Sequence, residues 1–293
     1  MGFEELMQLF RYPANWNLPG NLLTVLVGAT YLLLVGPLRR LFPGSTPVRP
    51  GKKIWFLSGL LLLYFTLGSP LDLLAHELFT FHMLQMSLLY LVIPPFFLNG
   101  IPDWMFRAFF RIPGVKPVVS LFTHPIVALF VFNGLLSLYH FPMVFNTALA
   151  NEWLHDGIHL LLGITALFFW WPITVPLVEM DRLSDLKKLL YIIAGGGLLL
   201  PACALIIFAD APMFAIYKDG DAIIPFLSPL HDQQLGGVLM KVTQEISYSI
   251  ALVVTFFRWV RNERAKERKE QESLSTASTL SGSLSGKPQT NPQ

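Results

Sequence analysis

The sequence predicts an all-α integral membrane protein, a seven-transmembrane helix bundle with its N-terminus outside and its C-terminus cytoplasmic. Three observations carry that prediction. Hydrophobic residues fill 53% of the 293 positions and charged residues only 14%, against about a quarter charged in soluble domains. Seven apolar stretches each approach the roughly 20 residues that a spanning helix needs. Basic residues crowd every second connecting segment, the pattern of loops that stay inside.

The predicted spans are 20–38, 53–70, 79–99, 118–139, 154–175, 188–209 and 235–258. The first, second and fourth are plain apolar runs. The third ends in Pro94-Pro95, which is expected to kink it or end its regular hydrogen bonding. The fifth closes on Trp170-Trp171-Pro172, read as an interfacial aromatic belt. The sixth carries Gly195-Gly196-Gly197, a place where a neighbouring helix can come close. Three segments frame the chain: 1–19 as an extracytoplasmic N-terminal segment, 20–258 as the transmembrane domain, and 259–293 as a charged, then disordered, cytoplasmic tail. The Ser/Thr/Gly-rich composition from 273 onward predicts that disorder.

Orientation follows from the loops. Arg39, Arg40, Arg49, Lys52 and Lys53 separate the first two spans, Arg107, Arg111 and Lys116 the third and fourth, and Arg182, Lys187 and Lys188 the fifth and sixth. The tail after the seventh is strongly basic. The opposite side holds Arg11 and Lys218. The N-terminal segment has two acids and no basic n-region, so a cleaved signal peptide is not expected. Net charge is only +2, so no nucleic-acid partner is implied, while the apolar spans imply membrane lipid as a partner.

Chemistry-bearing residues gather on the outer side of this topology. A single cysteine, Cys203, excludes an internal disulfide and a Cys-x-x-Cys motif, and reads as a small buried hydrophobe. Six of the seven histidines, His76, His82, His140, His155, His159 and His231, fall at the outer surface, while His124 lies near the inner one. His155 and His159 are i, i+4, so both rings share a helix face. His82 and Met86 repeat that spacing, with Gln85 beside them, and Asp72 and His76 repeat it again. Imidazole suits several transition metals and thioether sulfur selects Cu(I). A His/Met set without thiolate therefore favours copper, with zinc left open through Asp156 or Glu77. Met83 points away from His82 and reads as packing. Lys241 and Glu245, i, i+4 inside the seventh span, read first as a mutual ion pair that orders the bundle, with a proton or ion relay as the alternative. No His-Glu-x-x-His or comparable catalytic arrangement is present, so no enzymatic activity is expected.

Three stretches carry a resemblance: "SPLDLLAHELFTFHMLQMSLLYLVIPPFFLNGIP" (69–102), "HDGIHLLLGITALFFWWPI" (155–173) and "HDQQLGGVLMKVTQE" (231–245). They resemble the CtaG family of cytochrome c oxidase assembly factors, the multi-spanning bacterial kind associated with caa-type oxidases. The resemblance covers roughly residues 20–258. It implies a multi-pass protein of the bacterial plasma membrane that supports respiratory-chain biogenesis by assisting copper insertion into the haem-copper oxidase. Its partners would be cytochrome c oxidase subunits and an extracytoplasmic copper chaperone, and no haem of its own is expected. His82 and Gln85 fall on the third-span motif, His155 and His159 on the fifth-span histidines, and Asp232, Gln233 and Gly236 on the last motif. Where many members carry a second histidine, this chain has Met86. The alternatives from the residues alone are a haem-binding membrane redox protein and a metal transporter.

Overall fold

The computed structural model describes residues 3–218, 224 and 227–285, without the side chains of Phe3 and 274–285. No strand occurs among the described residues. In chain order the α-helices are α1 (Phe3–Arg11), α2 (Leu18–Val35), α3 (Pro50–Gly68), α4 (Pro70–Glu77), α5 (Phe79–Ser87), α6 (Ile93–Gly100), α7 (Asp103–Phe109), α8 (Val115–Phe122), α9 (Pro125–Tyr139), α10 (Pro142–Leu149), α11 (Glu152–Thr174), α12 (Asp185–Ile207) and α13 (Pro229–Ser285). A π-helical turn, Leu88–Val92, joins α5 to α6. Five of these segments are long and apolar enough to cross a membrane: α2, α5 through α6, α11, α12 and α13. The number rises to seven when the bent pairs α3–α4 (48°) and α8–α9 (74°) each count as one span. The part of the tail predicted to be disordered lies outside the described side chains from 274 and outside the described residues from 286.

Prolines shape the spans. The fourth predicted span is not one plain run, because His124 precedes Pro125. The proline ring disfavours helical backbone at the preceding residue, and His124 sits at ψ 127°, so α8 and α9 meet at a sharp bend. In the third span, Pro94 has no N–H to give the carbonyl of Tyr90 four residues back. The chain answers with the π-turn, in which the Ile93 N–H reaches the Leu88 carbonyl. The Tyr90 carbonyl receives the indole N–H of Trp170 instead, at 3.1 Å.

That bond corrects the reading of the Trp-Trp-Pro run. Trp170 and Trp171 are buried, not at an interface. Trp170 packs against Tyr248, and Trp171 against Phe106 and Phe110. The sequence pattern of a terminal aromatic pair cannot show that a proline on another helix has orphaned a carbonyl nearby. Trp170→Phe keeps an aromatic ring but leaves that buried acceptor without its donor. It is expected to destabilise the protein by about 1–3 kcal/mol, read as a lowered thermal midpoint in detergent.

The main core joins α5, α9, α11, α12 and α13 through Phe79, Phe132, Phe169, Ile192 and Met240, all buried. Cys203 lies in the same core, as expected. The glycine run of α12 does admit close neighbours: Phe169 lies over Gly195, and Gln244 and Tyr248 of α13 lie over Gly196. A smaller cluster pins α2 to α3, where the rings of Tyr31 and Phe56 stack at 3.8 Å. The Tyr31 hydroxyl donates to the Gly100 carbonyl at the end of α6. A Cβ on Gly100 would come within 2.5 Å of the Phe56 backbone nitrogen, so glycine permits this approach.

Candidate functional site

The site begins with the placement of α5. Its N-cap residue, Leu78, has no side chain to satisfy the first N–H groups of the helix. Asp232, at the start of α13 and fully buried, supplies the acceptors from across the bundle. Its carboxylate takes the N–H of Phe79 at 2.7 Å and of Thr80 at 3.1 Å, and its carbonyl accepts the Thr80 hydroxyl. A carboxylate at a helix N-terminus is also favoured by the helix dipole. Gly236, one turn further along α13, lets Phe79 and Met83 sit where a Cβ would clash at 2.6 and 3.0 Å. Gln233 accepts from the Met213 N–H and donates to the Ile206 carbonyl, while Gln234 donates to the Ala209 carbonyl. The Asp-Gln-Gln motif is thus a clasp that fixes α5 and the end of α12 against α13.

So anchored, α5 presents His82 to the interior, 2% exposed. Three histidine nitrogens from two helices converge on one hydroxyl. The Tyr139 Oη, at the last residue of α9, lies 3.4 Å from His82 Nε2, 3.4 Å from His155 Nδ1 and 3.2 Å from His159 Nε2. The imidazoles crowd one another, with ring centres 4.2 Å apart for His155 and His159, 5.8 Å for His82 and His155, and 5.6 Å for His82 and His159. A phenol has one proton and two acceptor lone pairs, so Tyr139 can donate to one nitrogen and accept from two. Tyr90 holds the far side of His159, its hydroxyl 2.8 Å from Nδ1. His76 stands 6.5 Å from His155, centre to centre, and its Nδ1 meets the carbonyl of Asp72. Gln85 donates to the Asp72 carboxylate at 2.7 Å and to the Thr66 carbonyl, which ties α4 to α5.

His76, His82, Gln85, His155 and His159 therefore come together, and all five line one cavity of about 800 Å³. The other predicted residues lie elsewhere. Met86 is buried in the apolar core and does not line the cavity. His140 turns its Nδ1 to the Leu136 carbonyl at 2.6 Å. Its Nε2 is buried with no hydrogen-bond partner among the described residues, and burial pushes its imidazole down to about 4 against the opposing effect of that backbone bond. His231 is exposed at the start of α13. Lys241 and Glu245 form the expected ion pair, at 2.6 Å, on a partly exposed face of α13. Tyr139, Tyr90 and Asp72 are the site residues that sequence reading missed or left at the margin. Tyr139 had one available signal, its place beside His140 at the end of the fourth predicted span.

Among the described residues no three His, Cys, Asp or Glu side chains are spaced to hold a metal ion as they stand. The reason is visible in the geometry: the nitrogens surround an oxygen at hydrogen-bond range. A metal–imidazole bond is about 2.0–2.1 Å, so each nitrogen would have to close by about 1.1–1.4 Å with the hydroxyl displaced.

Fold and site together define a polytopic helical protein with a histidine–tyrosine cluster at one end of its bundle. The family model for the cytochrome c oxidase caa3 assembly factor (Caa3_CtaG) matches residues 29–262, and the chain belongs to that family. An uncharacterised protein of Mycobacterium leprae is 25% identical over 281 residues, covering 86% of this chain and 41% of its own length. Uncharacterised proteins of Mycobacterium bovis and Mycobacterium tuberculosis are each 25% identical over 249 residues, covering 77% of this chain and 36% of their own length. The chain thus spans about two-fifths of the length of the curated relatives it matches. No solved structure matches it.

Proposed function

We propose that this protein is a non-catalytic assembly factor of the bacterial plasma membrane that holds copper as cargo at the outer membrane face and passes it to a cytochrome c oxidase subunit. The observation that carries this reading is the convergence of His82, His155 and His159 on Tyr139 in the wall of an open cavity. Imidazole nitrogens suit copper. Their present partner is a neutral hydroxyl, which an incoming ion can displace, so cargo would exchange with Tyr139 and leave again. A site of this kind favours transfer over storage. Because Met86 is outside the cavity wall, the donor set is nitrogen, and a thioether has no part in it.

The position of the cluster supports the outer face. His82 opens the third span and His155 the fifth, while the far ends of those spans meet the basic loops. Arg258 donates to the Ile173 carbonyl and Lys52 to the Ile101 carbonyl. His155 and Ile173 are about 27 Å apart along a straight helix. By the positive-inside rule the basic end is cytoplasmic, which leaves the histidines facing an extracytoplasmic copper source.

Deletion of the gene tests the reading, with oxidase activity, oxidase protein and a-type haem measured together. Lost activity with normal haem and protein is the expected result. Missing haem would transfer support to haem delivery, and an unchanged oxidase would overturn the assembly role. Copper flux into proteoliposomes would favour a transporter instead.

A further inference from the structure

An ion needs only a few ångströms of space, yet the cavity beside the histidines occupies about 800 Å³. Its chemistry changes along its length. The end at α4 and the start of α11 is polar, with Asp72, His76, Glu152, His155 and Asp156. The inner arm is lined by Leu63 of α3, Leu89 of the π-turn, Ile93 and Phe97 of α6, and Leu167 of α11, with no charged side chain among its lining residues. Leu67, Leu160 and Ile164 stand exposed on the α3 and α11 walls of the cavity, so the arm has a rim on the apolar outer surface of the bundle.

The geometry points to a binding site for a single-chain amphiphile whose head group carries no negative charge. Its head would lie beside His76 and His155, and its chain would run inward along α6 between α3 and α11. The rim chooses this occupant over a water-soluble ligand: Leu67, Leu160 and Ile164 open the arm onto the apolar outer surface of the bundle, from which a hydrocarbon chain can enter sideways while its head stays at the polar end. From His82 to Phe97 the arm runs about 22 Å at the helical rise, the reach of one long alkyl chain. Charge selects the head: Asp72, Glu152 and Asp156 all line the polar end, so an anionic head group is repelled. The polar end borders His155, one of the three imidazoles proposed to hold copper, but the binding of the chain does not rest on that reading.

Gly163 offers a clean test. It lines the arm, and a Cβ built there meets nothing closer than a Tyr90 ring carbon at 4.0 Å, so Gly163→Leu fills the arm without disturbing the fold. The purified protein would be placed in phosphatidylcholine vesicles containing a fatty alcohol with a diazirine near its chain end, irradiated, and mapped by peptide mass spectrometry. Labelling of Ile93, Phe97 or Leu167 in the natural protein is expected, falling at least five-fold in Gly163→Leu and in a second filling variant, Leu63→Trp. Labelling of the exposed α2 residues Leu22 and Leu26 should stay constant in both. Equal labelling of the arm in natural and filled chains, or no labelling of it at all, would overturn the proposal. The matching fatty acid should label the arm less than the alcohol, and equal labelling would overturn the exclusion of an anionic head.

Discussion

Asp232→Ala is expected to be the most damaging single substitution outside the histidine cluster, although Asp232 touches no histidine. It strands two backbone donors, Phe79 N–H and Thr80 N–H, that now meet its carboxylate. An unsatisfied donor in the interior costs about 1–3 kcal/mol, so the pair is worth about 2–6 kcal/mol, at the high end for one residue. In a chain of this size each kcal/mol moves the thermal midpoint by about 2–4 °C. Asp232→Asn keeps one acceptor oxygen but turns an amide N–H₂ toward a backbone donor, and should fall between the two. Thermal unfolding of the purified protein in detergent measures all three, and a midpoint for Asp232→Ala matching the natural chain would show that the cap carries no stability.

The second large effect is expected at Tyr139, in the opposite direction. Tyr139→Phe keeps the ring but removes the hydroxyl around which three imidazoles are arranged. The hydrogen bonds that compete with an incoming ion vanish with it. A neutral hydrogen bond contributes about 0.5–1.5 kcal/mol net, so losing this competition should raise Cu(I) retention by up to about tenfold. Competition against a chromophoric Cu(I) chelator would measure it. Tighter retention should come with slower oxidase maturation in cells. Equal retention in the two proteins would remove Tyr139 from the exchange, whereas no copper on either would remove the copper reading itself.

Much of the fold is legible because a membrane imposes length and polarity on local sequence. The apolar runs, the Pro94 disruption and the close approach at Gly195 all depend on residues near one another in the chain. The site is legible in part for the same reason: His155 and His159 share a helix face by spacing alone. What sequence could not provide is what one helix supplies to another. Met86 has the same i, i+4 relation to His82, but packing turns it into the core. Trp170 looked like a surface anchor until the orphaned Tyr90 carbonyl gave its N–H a partner 80 residues away. Asp232 is legible as part of the Asp-Gln-Gln motif of the last span, but its role becomes visible only when α5 arrives with no cap of its own.

The bond between Asp232 and the start of α5 also sets a clock on biosynthesis. It joins positions 153 residues apart, and chains are made from the N-terminus at about 5–20 residues per second. The helix that carries His82 therefore waits about 8–30 s after its own synthesis before the last helix can fix its end. During that interval His82 lies on a helix whose start is unpinned, and a nascent chain that stops short of residue 232 never acquires the cap. A pinned His82 thus reports that synthesis has reached the last helix of the bundle.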